Sequence, residues 1–218
     1  MEAVISDSSS WVIKKIFNLR EHIPNLKPVL DHMIQKRTFS MKRMYDKMVD
    51  SDKVPWRHLL KGNCARPRAS IITWMACYGR LGTKDRLIRF GLIIEHECSV
   101  CKEVDETLDH LLFDCRFAKD VWKHVLLWLG ITHEPQPWSI EIGWIMHMIA
   151  KKGRRYKILK VAVAETVYGI WQYRNEVIFG KYTHRNTSID IGERIIEKVM
   201  YRGWYSTKLR KHVVTLML

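Results

Sequence analysis

Residues 98–115 read CSVCKEVDETLDHLLFDC, and the spacing C-x2-C-x8-H-x4-C within them decides how the rest of the chain is organised. Cys98 and Cys101 place two sulfurs on one side of a tight turn, and a helix after it would deliver His110 and Cys115 to the other side. Three thiolates and one imidazole suit zinc, which takes tetrahedral sulfur and nitrogen ligation. With all four positions filled by protein, no place is left for an activated water, so the spacing predicts one structural zinc rather than a catalytic one. Asp105, Glu106 and Thr107 have the character of a first helical turn, where acidic residues and a capping hydroxyl are favoured. The plain alternative is a set of ordinary buried thiols, and a disulfide does not suit a reducing compartment. His96 lies too close to Cys98 for an easy clamp, and His124 follows Trp122 on a continuing helix, so both are weaker ligand candidates. Cys64 and Cys77 lack ligand spacing, and Cys77 reads as a small core residue.

Outward from this stretch the sequence expects a mainly α protein: a helical domain with a CCHC zinc knuckle stapling a turn to a helix, and little β structure. Apolar residues recur at helical steps and strict alternation is scarce. A helix is expected from Ser40 toward Val49, and Pro67 suits a helix start. Ile71, Ile72, Trp74, Met75 and Tyr78 then give a broad stripe that reads as the buried face of a core helix. Thr83 caps a short helix that Gly91 ends. Further helices are expected from about Tyr156 to Phe179, closed by Gly180, and from Ser188 to about Tyr201 with Ile191, Ile195, Val199 and Met200 on one side. The two prolines in Glu134 to Trp138 mark a boundary. The expected division is an N-terminal segment 1–38, a zinc domain 39–133 and a helical region 134–218.

The chain has 218 residues and 47% hydrophobic content, enough for a real core. Its formal charge is +14, which favours polyanionic partners. The charge is uneven: residues 56–95 carry +6, residues 96–135 carry −4 and residues 136–218 carry +9, so the Cys segment is an acidic island between basic flanks. Candidate phosphate contacts are Arg66, Arg68, Arg80, Lys84, Arg86 and Arg89 before the knuckle, and Lys151, Lys152, Arg154 and Arg155 after it. Trp74, Trp122 and Trp171 could stack on bases, but their spacing places them in the core. Five cysteines is an odd number, and no leader pattern opens the chain, so a reduced, intracellular protein of the nucleus or cytoplasm is expected. No apolar run approaches the ~20 residues of a membrane span.

Enzyme signatures are missing: no P-loop, GxGxxG or GxSxG is present, and neither His96-Glu97 nor His133-Glu134 continues as HExxH. Glu97 stands before Cys98 where a zinc deaminase would carry Pro. The expectation is therefore a non-catalytic module that binds RNA or DNA, with no membrane or small-molecule partner. A protein-interaction or assembly module is the rival.

These residues resemble the zinc-binding domain that follows the reverse transcriptase in plant-type non-LTR (LINE) retrotransposons. Phe39, Ser40, Met41, Lys42 and Tyr45 look like its opening segment, and PRASIITWMACYGRLGTKDRLIRFG, Pro67 to Gly91, resembles its core. Glu106, Thr107, His110, Leu111, Cys115 and Trp122 continue the pattern. More weakly, Ile170, Trp171, Arg174, Asn175 and Phe179 look like a stretch that follows in such elements, and Trp11 with Arg20 is similar to one that precedes the domain. The resemblance implies a metal role for Cys98, Cys101, His110 and Cys115. It does not extend to a polymerase, since the chain has no adjacent Asp pair, nor to a ribonuclease H domain, since the acidic residues after Gln136 are scattered. A truncated or free-standing piece of such an element is expected, either domesticated or a remnant without host function.

Overall fold

A computed structural model describes residues 54–151, 153–180 and 186–214. The expected helix at Ser40, the opening motif from Phe39 to Tyr45, the N-terminal segment 1–38 and Lys152 lie outside the described residues. From Pro55 onward the chain forms one compact unit. Among the described residues it is helical, with an isolated antiparallel bridge between Glu97 and Asp105 in place of any strand. The helices are α1 (Arg57–Leu60), α2 (Pro67–Cys77), α3 (Lys84–Arg89), α4 (Arg116–Trp128), α5 (Trp138–Ala150), α6 (Arg154–Ile178), α7 (Ser188–Trp204) and α8 (Arg210–Val214). A π-helical turn, His110–Asp114, precedes α4.

Helix α6 is the axis of the fold. Ile158, Leu159, Val161, Ala162, Val163, Ala164 and Val167 are all buried, as are Glu165 and Thr166, so the middle of the helix is enclosed by its neighbours. It packs against α2, α4, α5, α7, α8 and the π-helical turn. Helix α4 is amphipathic, burying Ala118, Val121, Trp122, Val125 and Leu126 at steps of three and four. Helix α7 lies across both α4 and α6. Glycines permit that approach: a Cβ at Gly169 of α6 would stand 2.9 Å from Ile195, and one at Gly192 of α7 would stand 2.7 Å from the His124 ring.

Helix ends follow the sequence closely. Pro67 occupies the first turn of α2, Thr83 is the N-cap residue of α3, and Gly91 and Gly180 adopt left-handed backbone just past helix ends. Thr187 and Asp190 form a full capping box at the start of α7.

Two expectations are corrected. Helix α2 buries its small residues Ala69, Thr73 and Ala76, while Ile71, Trp74 and Tyr78 face outward, 57%, 41% and 44% exposed. The helix is apolar on several sides, so periodicity could not choose the face, and small side chains allow α2 to sit close against α6. Asp105 and Glu106 precede the helical turn rather than open it: Asp105 pairs with Glu97, and Glu106 is fully buried. The segment Glu134 to Trp138 joins α4 to α5 within the one compact unit, and Trp138 packs on Phe113 at 5.8 Å.

Candidate metal centre and cationic surface

The Cys98–Cys101 turn is held by its backbone. Cys98 N–H donates to Val104 O (2.7 Å), Lys102 N–H to Cys98 O (3.0 Å) and Glu106 N–H to His96 O (2.8 Å). Lys102 takes φ 62°, a left-handed turn position unusual for a residue with a Cβ. Thr107 Oγ1 accepts from His110 N–H at 3.1 Å and so caps the following turn instead of lying within it. The wider π-helical turn ends where Cys115 N–H meets His110 O at 2.6 Å, which leaves Cys115 as the N-cap of α4.

The result is convergence of the four expected ligands: the ligand atoms of Cys98, Cys101, His110 and Cys115 all lie within 4.8 Å of one another. Cys101 Sγ is 3.3 Å from His110 Nε2, so Nε2 faces the cluster while Nδ1 faces the Asp114 carboxylate at 3.9 Å. A carboxylate behind a ligating imidazole is a common way to fix its orientation. Cys98, Cys115 and His110 are buried and Cys101 is half-buried.

The electrostatics favour thiolate at Cys98. A hydrogen bond from the Cys115 thiol is the largest influence holding Cys98 well below the ordinary thiol range; burial opposes it, while His110 and the backbone N–H groups of Cys101 and Val100 act with it. Cys115 is pushed up, first by that same bond to Cys98 and then by burial, and the Ala118 N–H at the start of α4 acts the other way. Backbone donors aimed at sulfur stabilise charge there. Three sulfurs and an imidazole nitrogen, gathered and partly charge-stabilised, form a donor set that could hold a metal ion and that suits zinc.

The other candidates fall outside this cluster. His96 is exposed, and the half-buried His124 pairs with Glu193 at 2.6 Å. Cys77 is half-buried in α2, and burial pushes its thiol up to about 12, in keeping with an inert packing residue. Cys64 is half-buried beside Ser206.

The structure sorts the cations into tied and presented groups. Arg66 donates through both its backbone and its guanidinium to the buried Glu165. Lys84 is buried and pairs with Glu95 at 3.0 Å. Arg86 is half-buried, with its guanidinium on Gly79 O and over the Phe90 ring. Arg68 and Arg80 are exposed; Arg89 is exposed and reaches Asp85 at 3.4 Å. After the knuckle, Lys151 stands over Tyr156, and Arg155 donates to Gly130 O at 2.6 Å. Arg154 is the first residue of α6. Trp122 is buried as expected, Trp171 is half-buried, and Trp74 is exposed against expectation.

Sequence reasoning missed the buried carboxylates. Glu106, Glu141 and Glu165 are each fully buried. Glu106 accepts from the backbone N–H groups of Lys84 and Ser99 and pairs with Arg174; Glu141 accepts from Trp122 Nε1 at 2.8 Å and from Gln136 N–H, and meets His133 Nε2. The visible signal for Glu106 and Arg174 was their place in the motifs, which did not say that they touch.

Residues 39–122 match the family described as zinc-binding in reverse transcriptase. The match supports a reverse-transcriptase-associated zinc domain in this part of the chain, and it spans all four clustered ligands. Neither a curated protein nor a solved structure matches the chain. Among the described residues, no helix is long and apolar enough to cross a membrane.

Proposed function

We propose that this chain is a non-catalytic nucleic-acid-binding module, related to plant-type LINE reverse transcriptase proteins, in which a single structural zinc on Cys98, Cys101, His110 and Cys115 fixes the fold and flanking cations grip phosphates. The observation that carries it is the contrast between the saturated donor cluster and the chain before it: from Pro55 to Lys84 there are Arg and Lys but no Asp or Glu. Zinc would supply cross-linking of the Cys98–Cys101 turn to the start of α4, with no reactive position. Cations that reach phosphates fix position and read no bases, so little sequence preference is expected. Among the described residues, the buried carboxylates Glu106, Glu141 and Glu165 are engaged by backbone N–H groups and by Arg, Trp and His side chains rather than gathered as a site for paired magnesium ions. The protein is read as intracellular, acting in the nucleus or cytoplasm.

A titration of the zinc-loaded chain with a labelled RNA or DNA across salt concentrations tests this reading. Affinity should fall steeply as salt rises, because phosphate binding releases counterions. A protein-interaction reading is favoured by one observation: Leu92, Ile94 and Phe179 are 67%, 88% and 70% exposed, and the last two line a groove beside the knuckle with Leu87 and Val177. Partner binding there would change little with salt.

A further inference from the structure

The outward face of α2 holds aromatic rings and cations together. Trp74 and Tyr78 are 41% and 44% exposed, with ring centroids 5.1 Å apart and planes at 69°. The half-buried Trp56 abuts Tyr78 edge-on at 4.7 Å. The guanidinium of the exposed Arg80 lies 5.2 Å from the Tyr78 ring centre, and Arg86 is fixed next to it on Gly79 O at 3.0 Å. Arg68, in the first turn of α2, is exposed and lies nearly three turns before Tyr78, which ends the helix. An apolar face made for a protein core would carry few cations. This one lies in a stretch where every charged residue from Arg57 to Lys84 is positive.

We infer that Trp74 and Tyr78 form a stacking platform for the bases of a single-stranded nucleic acid, with Arg68, Arg80 and Arg86 taking its phosphates. This deepens the nucleic-acid reading and rests on it. Every base has a π-face, so aromatic stacking adds affinity without sequence preference, and it requires unpaired bases. Charge complementarity selects a polyanion over an apolar protein segment for this face. A duplex hides its base faces and could use only the cations.

The test is fluorescence anisotropy on the full zinc-loaded chain with three probes: a mixed-sequence single-stranded RNA, an abasic strand of equal length and charge, and the RNA duplex. Wild type should bind the base-bearing strand about tenfold tighter than the abasic strand, and Trp74 fluorescence should be quenched. Trp74→Leu and Tyr78→Leu should each erase most of that gap while leaving abasic binding and zinc content unchanged, and Trp74→Phe should retain much of it. Equal wild-type affinity for the base-bearing and abasic strands overturns the platform and leaves phosphate binding standing. Lack of binding to any probe overturns both readings. A wild-type dimer that Trp74→Leu dissociates would instead assign the face to a second copy of the chain, which also overturns the platform.

Discussion

The guanidinium of Arg174, near the end of α6, donates from Nε to Glu106 Oε1 at 3.0 Å and also from Nη2 to the same oxygen, inside the protein where both side chains are nearly or fully buried. Glu106 sits between the CxxC turn and His110, and its other oxygen accepts from Ser99 N–H at 3.2 Å. The pair therefore joins the candidate metal segment to the central helix. Arg174, one of the residues of the weaker C-terminal resemblance, thus contributes to the surroundings of the Cys98–Cys115 segment.

Removing one partner of this pair leaves a buried charge without compensation, so Arg174→Ala should destabilise the chain by about 3–5 kcal/mol. Glu106→Leu combined with Arg174→Met should lose much less than that. Urea unfolding of the zinc-loaded variants measures both. Similar losses for the single and the double variant would show that packing, not the ion pair, holds this junction.

Cys98→Ser or Cys115→Ser should lose bound metal and much of the helical signal, because ligand and fold are formed together. Elemental analysis of protein kept reduced should find about one zinc per wild-type chain. Wild type without zinc would refute the metal assignment. Circular dichroism of the variants would show how far α5 to α8 hold without the knuckle.

The cations of the first basic flank should separate by role. Arg66→Ala removes the partner of the buried Glu165 and should cost stability of about 2–3 kcal/mol, less than a fully enclosed pair because Arg66 is 34% exposed. Arg68→Ala with Arg89→Ala should stay within about 1 kcal/mol in stability yet lower nucleic-acid affinity and flatten its salt dependence. Thermal melts and salt titrations on each variant distinguish the roles. Loss of affinity without loss of stability in Arg66→Ala would reverse this assignment.

The capping box at α7 should give a pH signature. Hydrogen bonds from Thr187 backbone and hydroxyl hold the Asp190 carboxyl below its ordinary value of 3.8. A depressed folded value means that the stabilisation is present above the ordinary value and is lost as pH falls through the folded one. Thr187→Ala should therefore shrink the stability lost on going from neutral pH to pH below 3.8, and leave the profile above that range unchanged. An unchanged acid profile would show that the box does not contribute in solution.

At α4 to α7 contact, Gly192→Ala should force the His124 ring aside and cost about 1–3 kcal/mol. Pairing it with His124→Ala should recover part of the loss, as unfolding measurements can show. A neutral Gly192→Ala would mean that the ring yields freely.

What the sequence by itself determined were the features whose causes lie within a few residues: the ligand spacing of Cys98, Cys101, His110 and Cys115, the Pro67 and Thr83 starts, the Gly91 and Gly180 stops, and the stripe of α7. Each follows from local backbone chemistry or from a periodic apolar face. The tertiary structure alone decided which side of α2 is buried, because an all-round apolar helix turns its smallest residues toward the neighbour that must come closest. It also decided which cations are presented, since Arg66 and Lys84 find carboxylates supplied by other segments. The Glu106 and Arg174 contact belongs to the same class: their charges are visible in the chain, but only packing brings them together across the fold.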